Sequence, residues 1–108
     1  MSGTDQQTGE IVEERVDPKL VPKKDEPTLY KVILLNDDYS TMDFVIHVLE
    51  DVFQKSPAEA YRIMMQVHQL GSGVAGIYPW EVAETKVETV SAMAKKAGFP
   101  LRAVTEDA

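Results

Sequence analysis

The chain contains no cysteine. Disulfides and thiolate metal sites are therefore excluded, and the reducing cytoplasm is the expected compartment. No apolar run approaches the ~20 residues that span a bilayer, and the N-terminus lacks a basic segment followed by an apolar one. No membrane partner is expected. Positive charge is also scarce: eleven Lys and Arg stand against eighteen Asp and Glu, a formal net charge of −7. That argues against nucleic acid, because phosphate binding needs clustered Lys and Arg. Aromatic residues are few, and none precedes Tyr30. What remains suffices for one domain, since 44% of the 108 residues are hydrophobic.

Residues 1–28 read as a flexible N-terminal extension. They are polar and charged, with prolines at 18, 22 and 27 and only the isolated apolar pairs Ile11-Val12 and Leu20-Val21. Such a segment buries too little apolar surface to offset its ordering entropy. Residues 29–108 form the expected core domain. It is organised around Leu29 to Val52, read as a strand, a polar corner and an amphipathic helix. Tyr30 to Leu35 suits a strand with both faces covered. Asn36, Asp37, Asp38, Tyr39 and Ser40 carry turn chemistry. Met42, Val45, Ile46, Leu49, Val52 and Phe53 recur at helical spacing. Ser40 or Thr41 can cap this helix, and Ser40 with Asp43 resembles a capping box.

A second helix starts at Ser56-Pro57, with Glu59 closing the box, and stops at Gly71. Its stripe is Ala60, Ile63, Met64, Val67 and Leu70, and His68 extends that face. Gly71-Ser72-Gly73 reads as a hinge before a strand over Val74 to Tyr78. Pro79 starts a third helix, striped by Val82 or Ala83, Val87, Val90 and Ala94 and closed by Gly98. Phe99 to Thr105 supplies a last strand, and Glu106, Asp107 and Ala108 are expected to fray. The order predicts an α+β fold: a small three-stranded, mainly antiparallel sheet with three helices on one side.

Four groups invite a functional reading. Asn36, Asp37 and Asp38 with His68 make an acceptor-rich corner suited to a cation or an ammonium group. A turn with a helix-end histidine explains the same residues. A divalent metal has no spacing that demands it, and a hydrolytic pair lacks a nucleophile. Met42, Val45, Met64, Val67 and Leu101 are core by default, but methionines also line adaptable pockets. Tyr39, Glu81 and Lys86 are surface residues or contacts. Trp80 covers the core edge or, if exposed, marks a binding hot spot.

The strings YKVILLNDDYSTMDFVIHVL, IMMQVHQLG, GIYPWEVAETK and PLRAVTE together resemble the ClpS adaptor family from about Thr28 to the end. The resemblance implies a non-enzymatic adaptor without a cofactor. It binds substrates whose first residue is Leu, Phe, Tyr or Trp and delivers them to a Clp AAA+ protease. It also implies residue roles. Asn36, Asp37, Asp38 and His68 hold the free α-amino group. Leu34, Leu35, Ser40, Met42, Val45, Met64, Val67 and Leu101 form the side-chain pocket. Tyr39, Glu81 and Lys86 dock on the N-terminal domain of a ClpA-like ATPase, and the extension assists hand-over. The chain departs from the family pattern at Ser40-Thr41, where Thr-Pro is usual, at Ala103, where Cys is frequent, and at Pro79-Trp80. A second reading keeps the fold without the pocket: an interaction module of the ribosomal-stalk type.

Overall fold

The computed structural model describes residues 27–108. The expected extension lies outside these residues except for its last two. The elements run β1 (Leu29–Leu35), α1 (Met42–Asp51), α2 (Pro57–Leu70), β2 (Ser72–Pro79), α3 (Trp80–Ala97) and β3 (Arg102–Asp107). The sheet order is β2-β1-β3, and β1 pairs antiparallel with both neighbours.

The central strand has one covered face, not two. Val32 and Leu34 are fully buried against the helices, while Lys31, Ile33 and Leu35 point the other way and stay half-buried. The period of two sets this division. A bulge between Val32 and Ile33 leaves Ala75 of β2 without a partner in β1, and Ala75 is fully buried. Opposite the sheet, Val45, Val48 and Leu49 of α1 join Ala60, Ile63, Met64 and Val67 of α2 and Ala83, Val90 and Ala94 of α3.

Local chemistry sets most boundaries. Ser56 caps α2 by accepting from the Glu59 N–H at 3.2 Å, and Gly71 closes it in the left-handed conformation at φ 91°. Glu59 does not close the box; its carboxylate pairs with Arg62 at 2.6 Å. Gly98 ends α3 at φ 83°. The next residue, Phe99, packs on Phe44 of α1 with ring centroids 4.9 Å apart.

Further expectations are settled or corrected. Of the two cap candidates, Thr41 caps α1, accepting from the Phe44 N–H at 3.1 Å, and the Ser40–Asp43 capping box does not form because Ser40 is engaged by Asp37. Ser72 and Gly73 are not a hinge; they pair with Leu35 and Leu34 as the start of β2. Val52 and Phe53 lie past the last turn of α1 but are buried all the same. Glu106 and Asp107 do not fray: they pair with Lys31 and Tyr30, and the Ala108 N–H reaches the Leu29 carbonyl at 3.1 Å. Pairing satisfies backbone groups that fraying would leave to water.

Candidate functional site

The polar corner sits where β1 ends and α2 stops. The Asn36 N–H donates to the Gly71 carbonyl at 2.9 Å, which ties the strand end to the C-cap of α2. This bond brings Asn36 beside His68, which lies in the last turn of α2. Thr41 then launches α1 directly from the corner, so Met42 stands on the same rim.

Asp37 is the internal brace of the corner. Its Oδ1 accepts from the Tyr39 N–H at 2.8 Å and the Ser40 N–H at 2.7 Å, and its Oδ2 accepts from the Ser40 hydroxyl at 2.7 Å. Burial alone would raise the Asp37 pKa. The bonds from Ser40 and Tyr39 outweigh it and hold the carboxyl below its ordinary value.

Beneath the corner lies a cavity of about 30 Å³ lined by Asn36, Ser40, Met42, Val45, Met64, Val67 and His68. Its floor is apolar, from Val45, Met64 and Val67, and its rim is polar. The volume holds about one water-sized group. A larger side chain enters only if the lining gives way, and the lining contains two methionines, the most adaptable apolar residues.

The structure thus gathers seven of the expected residues around one cavity. The others stand elsewhere. Leu34 and Leu101 are buried in the main core and do not line it. Leu35 belongs to the opposite face of β1. Asp37 supports the corner from within, and Asp38 is exposed beside it. Tyr39 is 76% exposed at the same end. Glu81 lies past the other end of β1, because Leu29 pairs with Pro79 and Glu81 follows two residues later. The ammonium of Lys86 is turned inward and donates to the Val52 carbonyl at 2.7 Å. Among the described residues no group of three or more His, Asp or Glu is placed to hold a metal ion.

Two glycines shape the site without having been singled out for it. Gly71 supplies the carbonyl that holds Asn36. Gly73 lets β2 approach α2, since a Cβ there would lie 2.9 Å from Cγ2 of Val67. A glycine inside a strand pattern is a readable sign of such close approach.

Comparison with known proteins places this arrangement. The family model described as "ATP-dependent Clp protease adaptor protein ClpS" matches residues 25–104. The ClpS adapter protein of Wolinella succinogenes is 58% identical over 82 residues, covering 76% of this chain and 80% of the relative. That of Desulfatibacillum aliphaticivorans is 57% identical over 84 residues, covering 78% and 81%. The solved structure of Agrobacterium tumefaciens ClpS2 bound to L-phenylalaninamide superposes with a TM-score of 0.74 at 44% identity, covering 77% of this chain and all of that one. A three-stranded antiparallel sheet with three helices, an acceptor corner over an apolar cavity, and these likenesses lead to one assignment: the chain belongs to the ClpS family of Clp protease adaptors, which are not enzymes.

Proposed function

We propose that this adaptor captures proteins by a free N-terminal residue with a bulky apolar side chain, Leu, Phe, Tyr or Trp, and delivers them to a Clp ATPase. The observation that carries this reading is the cavity whose floor is Val45, Met64 and Val67 and whose rim is Asn36 and His68. An α-ammonium needs acceptors, and the Asn36 carboxamide and the His68 imidazole supply them. Asp38 adds negative charge beside them, and Asp37 holds the loop in shape. The side chain of the first residue enters between Met42 and Met64. The ligand in the Agrobacterium structure, a phenylalanine amide, has this chemistry.

The magnitudes suit a carrier that must release its cargo. Each hydrogen bond to a charged group contributes roughly 1.5–3 kcal/mol net. Burying one Leu or Phe side chain adds roughly 1.5–3 kcal/mol. Two or three such bonds and the side chain sum to roughly 4.5–12 kcal/mol before the cost of association, at least about 4 kcal/mol, so binding no tighter than about 1 μM, near −8 kcal/mol, is expected.

The remaining assignments complete the proposal. Tyr39, Glu81 and Lys86 correspond to the docking positions for the N-terminal domain of a ClpA-like ATPase, and residues 1–28 serve the hand-over. The cysteine-free chain suits the cytoplasm, where we place this activity. A peptide series differing only in the first residue, each with and without N-acetylation, tests the reading. Free Leu and Phe peptides bind, and their acetylated forms do not, because acetylation removes the charge that the acceptors meet. Equal binding of the acetylated forms would sink the proposal. The stalk-type module, whose pocket region would be filled, is not favoured, because the relatives are ClpS adaptors and a cavity, though only about 30 Å³, stands beside Asn36 and His68.

A further inference from the structure

We infer that Trp80 is the aromatic anchor by which this adaptor grips its Clp ATPase, in a partner groove that is apolar at its centre and basic at its rim. The inference rests on the docking reading above and adds a residue to it. Trp80 opens α3 with its side chain 46% exposed. It is not loose: its ring meets the edge of Tyr30 in β1 with centroids 5.2 Å apart. An aromatic ring fixed against a strand and open to water loses little side-chain entropy on binding. Tryptophan leads the residue types that dominate interface energies. Val82, 42% exposed, follows on α3, and Leu29, 44% exposed, lies opposite Pro79 at the same sheet end.

Position and charge name the occupant. This is the end at which β1 begins, preceded by Pro27 and Thr28. The cavity lies at the other end, roughly 20 Å away for a seven-residue strand. A partner seated on Trp80 and Glu81 leaves the cavity free for cargo, and of the docking positions only Tyr39 lies at the cavity end. The surrounding charge is acidic: Glu81 and Glu84 on α3 and Asp107 of β3, opposite Tyr30, are all exposed. Lys86 adds little positive charge outward because its ammonium faces the Val52 carbonyl, and Lys31 faces Glu106 across the open face of the sheet. A second copy would bring two acidic rims together. The chain's own first 26 residues carry seven acidic and four basic residues, so their net charge repels this rim as well. A basic-rimmed surface of a separate protein is the complement.

Trp80 is the only tryptophan, so its fluorescence reads the contact directly. The full chain is titrated with the N-terminal domain of its Clp ATPase, and peptide binding is measured alongside as a check on folding. We expect Trp80 emission to shift to the blue and become shielded from acrylamide. Trp80→Ala should weaken docking about tenfold or more while leaving the affinity for a Phe-initiated peptide unchanged, and Trp80→Phe should retain part of the loss. Glu81→Lys should weaken docking too. If the domain docks, and loses affinity with Glu81→Lys, while Trp80 emission and the Trp80→Ala affinity stay the same, the anchor is refuted and the docking surface stands. If the domain does not dock at all, both fail. An emission shift that depends on adaptor concentration, or on removing residues 1–26 without any partner, assigns the face to a second copy or to the leader and overturns the inference.

Discussion

The ammonium of Lys86 on α3 lies 2.7 Å from the carbonyl oxygen of Val52, the C-cap residue of α1. The same nitrogen stands over the rings of Phe53 and Tyr78, 5.8 and 5.2 Å from their centroids. Helix α1 ends without glycine and without a basic residue in its last turn. Lys86 therefore supplies from another helix the charge that a C-terminus attracts. Lys86→Met keeps the stem and removes the charge. We expect a loss of about 1–2 kcal/mol from the bond and the cation–π contacts, read by urea unfolding, with peptide affinity unchanged. Unaltered stability would make Lys86 a surface residue free for docking alone.

Asp37 makes the corner sensitive to acid. Its folded pKa is depressed below the ordinary 3.8 by the bonds from Ser40 and Tyr39, which outweigh burial. The stability that this carboxylate contributes is fully present above its unfolded pKa. It is lost as pH falls through the lower folded value. Asp37→Asn should thus be less stable than the parent at neutral pH, and the difference should shrink below about pH 4. Urea unfolding of both proteins from neutral to acid checks this. A difference that does not change with pH would mean that charge is irrelevant to the brace.

Gly73→Ala tests the wall between β2 and the cavity. The new methyl would meet Cγ2 of Val67 at 2.9 Å and the Ile63 carbonyl oxygen at 3.4 Å. The carbonyl belongs to a helix and cannot swing aside, and Val67 is itself stiff at χ1. Overpacking of this kind costs roughly 1–3 kcal/mol. We expect lower thermal stability together with weaker peptide binding, because Val67 lines the cavity. Full peptide affinity in a destabilised variant would show that the wall and the pocket are independent.

Met42 should act as a gate on side-chain shape. It is the first residue of α1, 47% exposed, and lines the cavity mouth. Helical side chains lean toward the helix N-terminus, here toward the acceptor corner. Leu and Phe branch beyond Cβ and pass, whereas Ile and Val branch at Cβ and collide. Leu and Phe peptides should be preferred over Ile and Val by about tenfold, equivalent to ~1.4 kcal/mol. Met42→Ala should narrow that gap by admitting Ile and Val. Fluorescence anisotropy on all four peptides decides: equal weakening of all four would make Met42 ordinary lining.

Local chemistry alone determined much of this protein. Ser56-Pro57, Gly71 and Gly98 mark helix ends because capping needs only neighbours a turn away. The stripes of α2, as far as Val67, and of α3 at Ala83, Val90 and Ala94 identify buried faces for the same reason, whereas β1 reads as covered on both faces but buries only one, and Leu70 is exposed. For the corner and the methionine group, residue types and spacing leave a turn and a core as open readings, and only the family resemblance puts Asn36, His68, Met42 and Met64 at one site, where a cavity does lie. What the sequence could not show was which partner each group takes when several compete. Asp37 spends its oxygens on Ser40 and Tyr39, leaving Asn36 and His68 on the cavity rim. Leu34 and Leu101 fill the core, and Leu35 falls on the far face, because one register assigns every side chain at once. Asn36 meets His68 through the carbonyl of Gly71, and Lys86 finds Val52 across 34 positions of chain. β3 runs on to Asp107 because β1 offers it a partner. The Asp37 bonds are local, two and three residues away, and were hidden only by competing turn and capping partners; the others depend on contacts between segments distant in sequence, whose pairing is decided by packing and register and leaves no local signature.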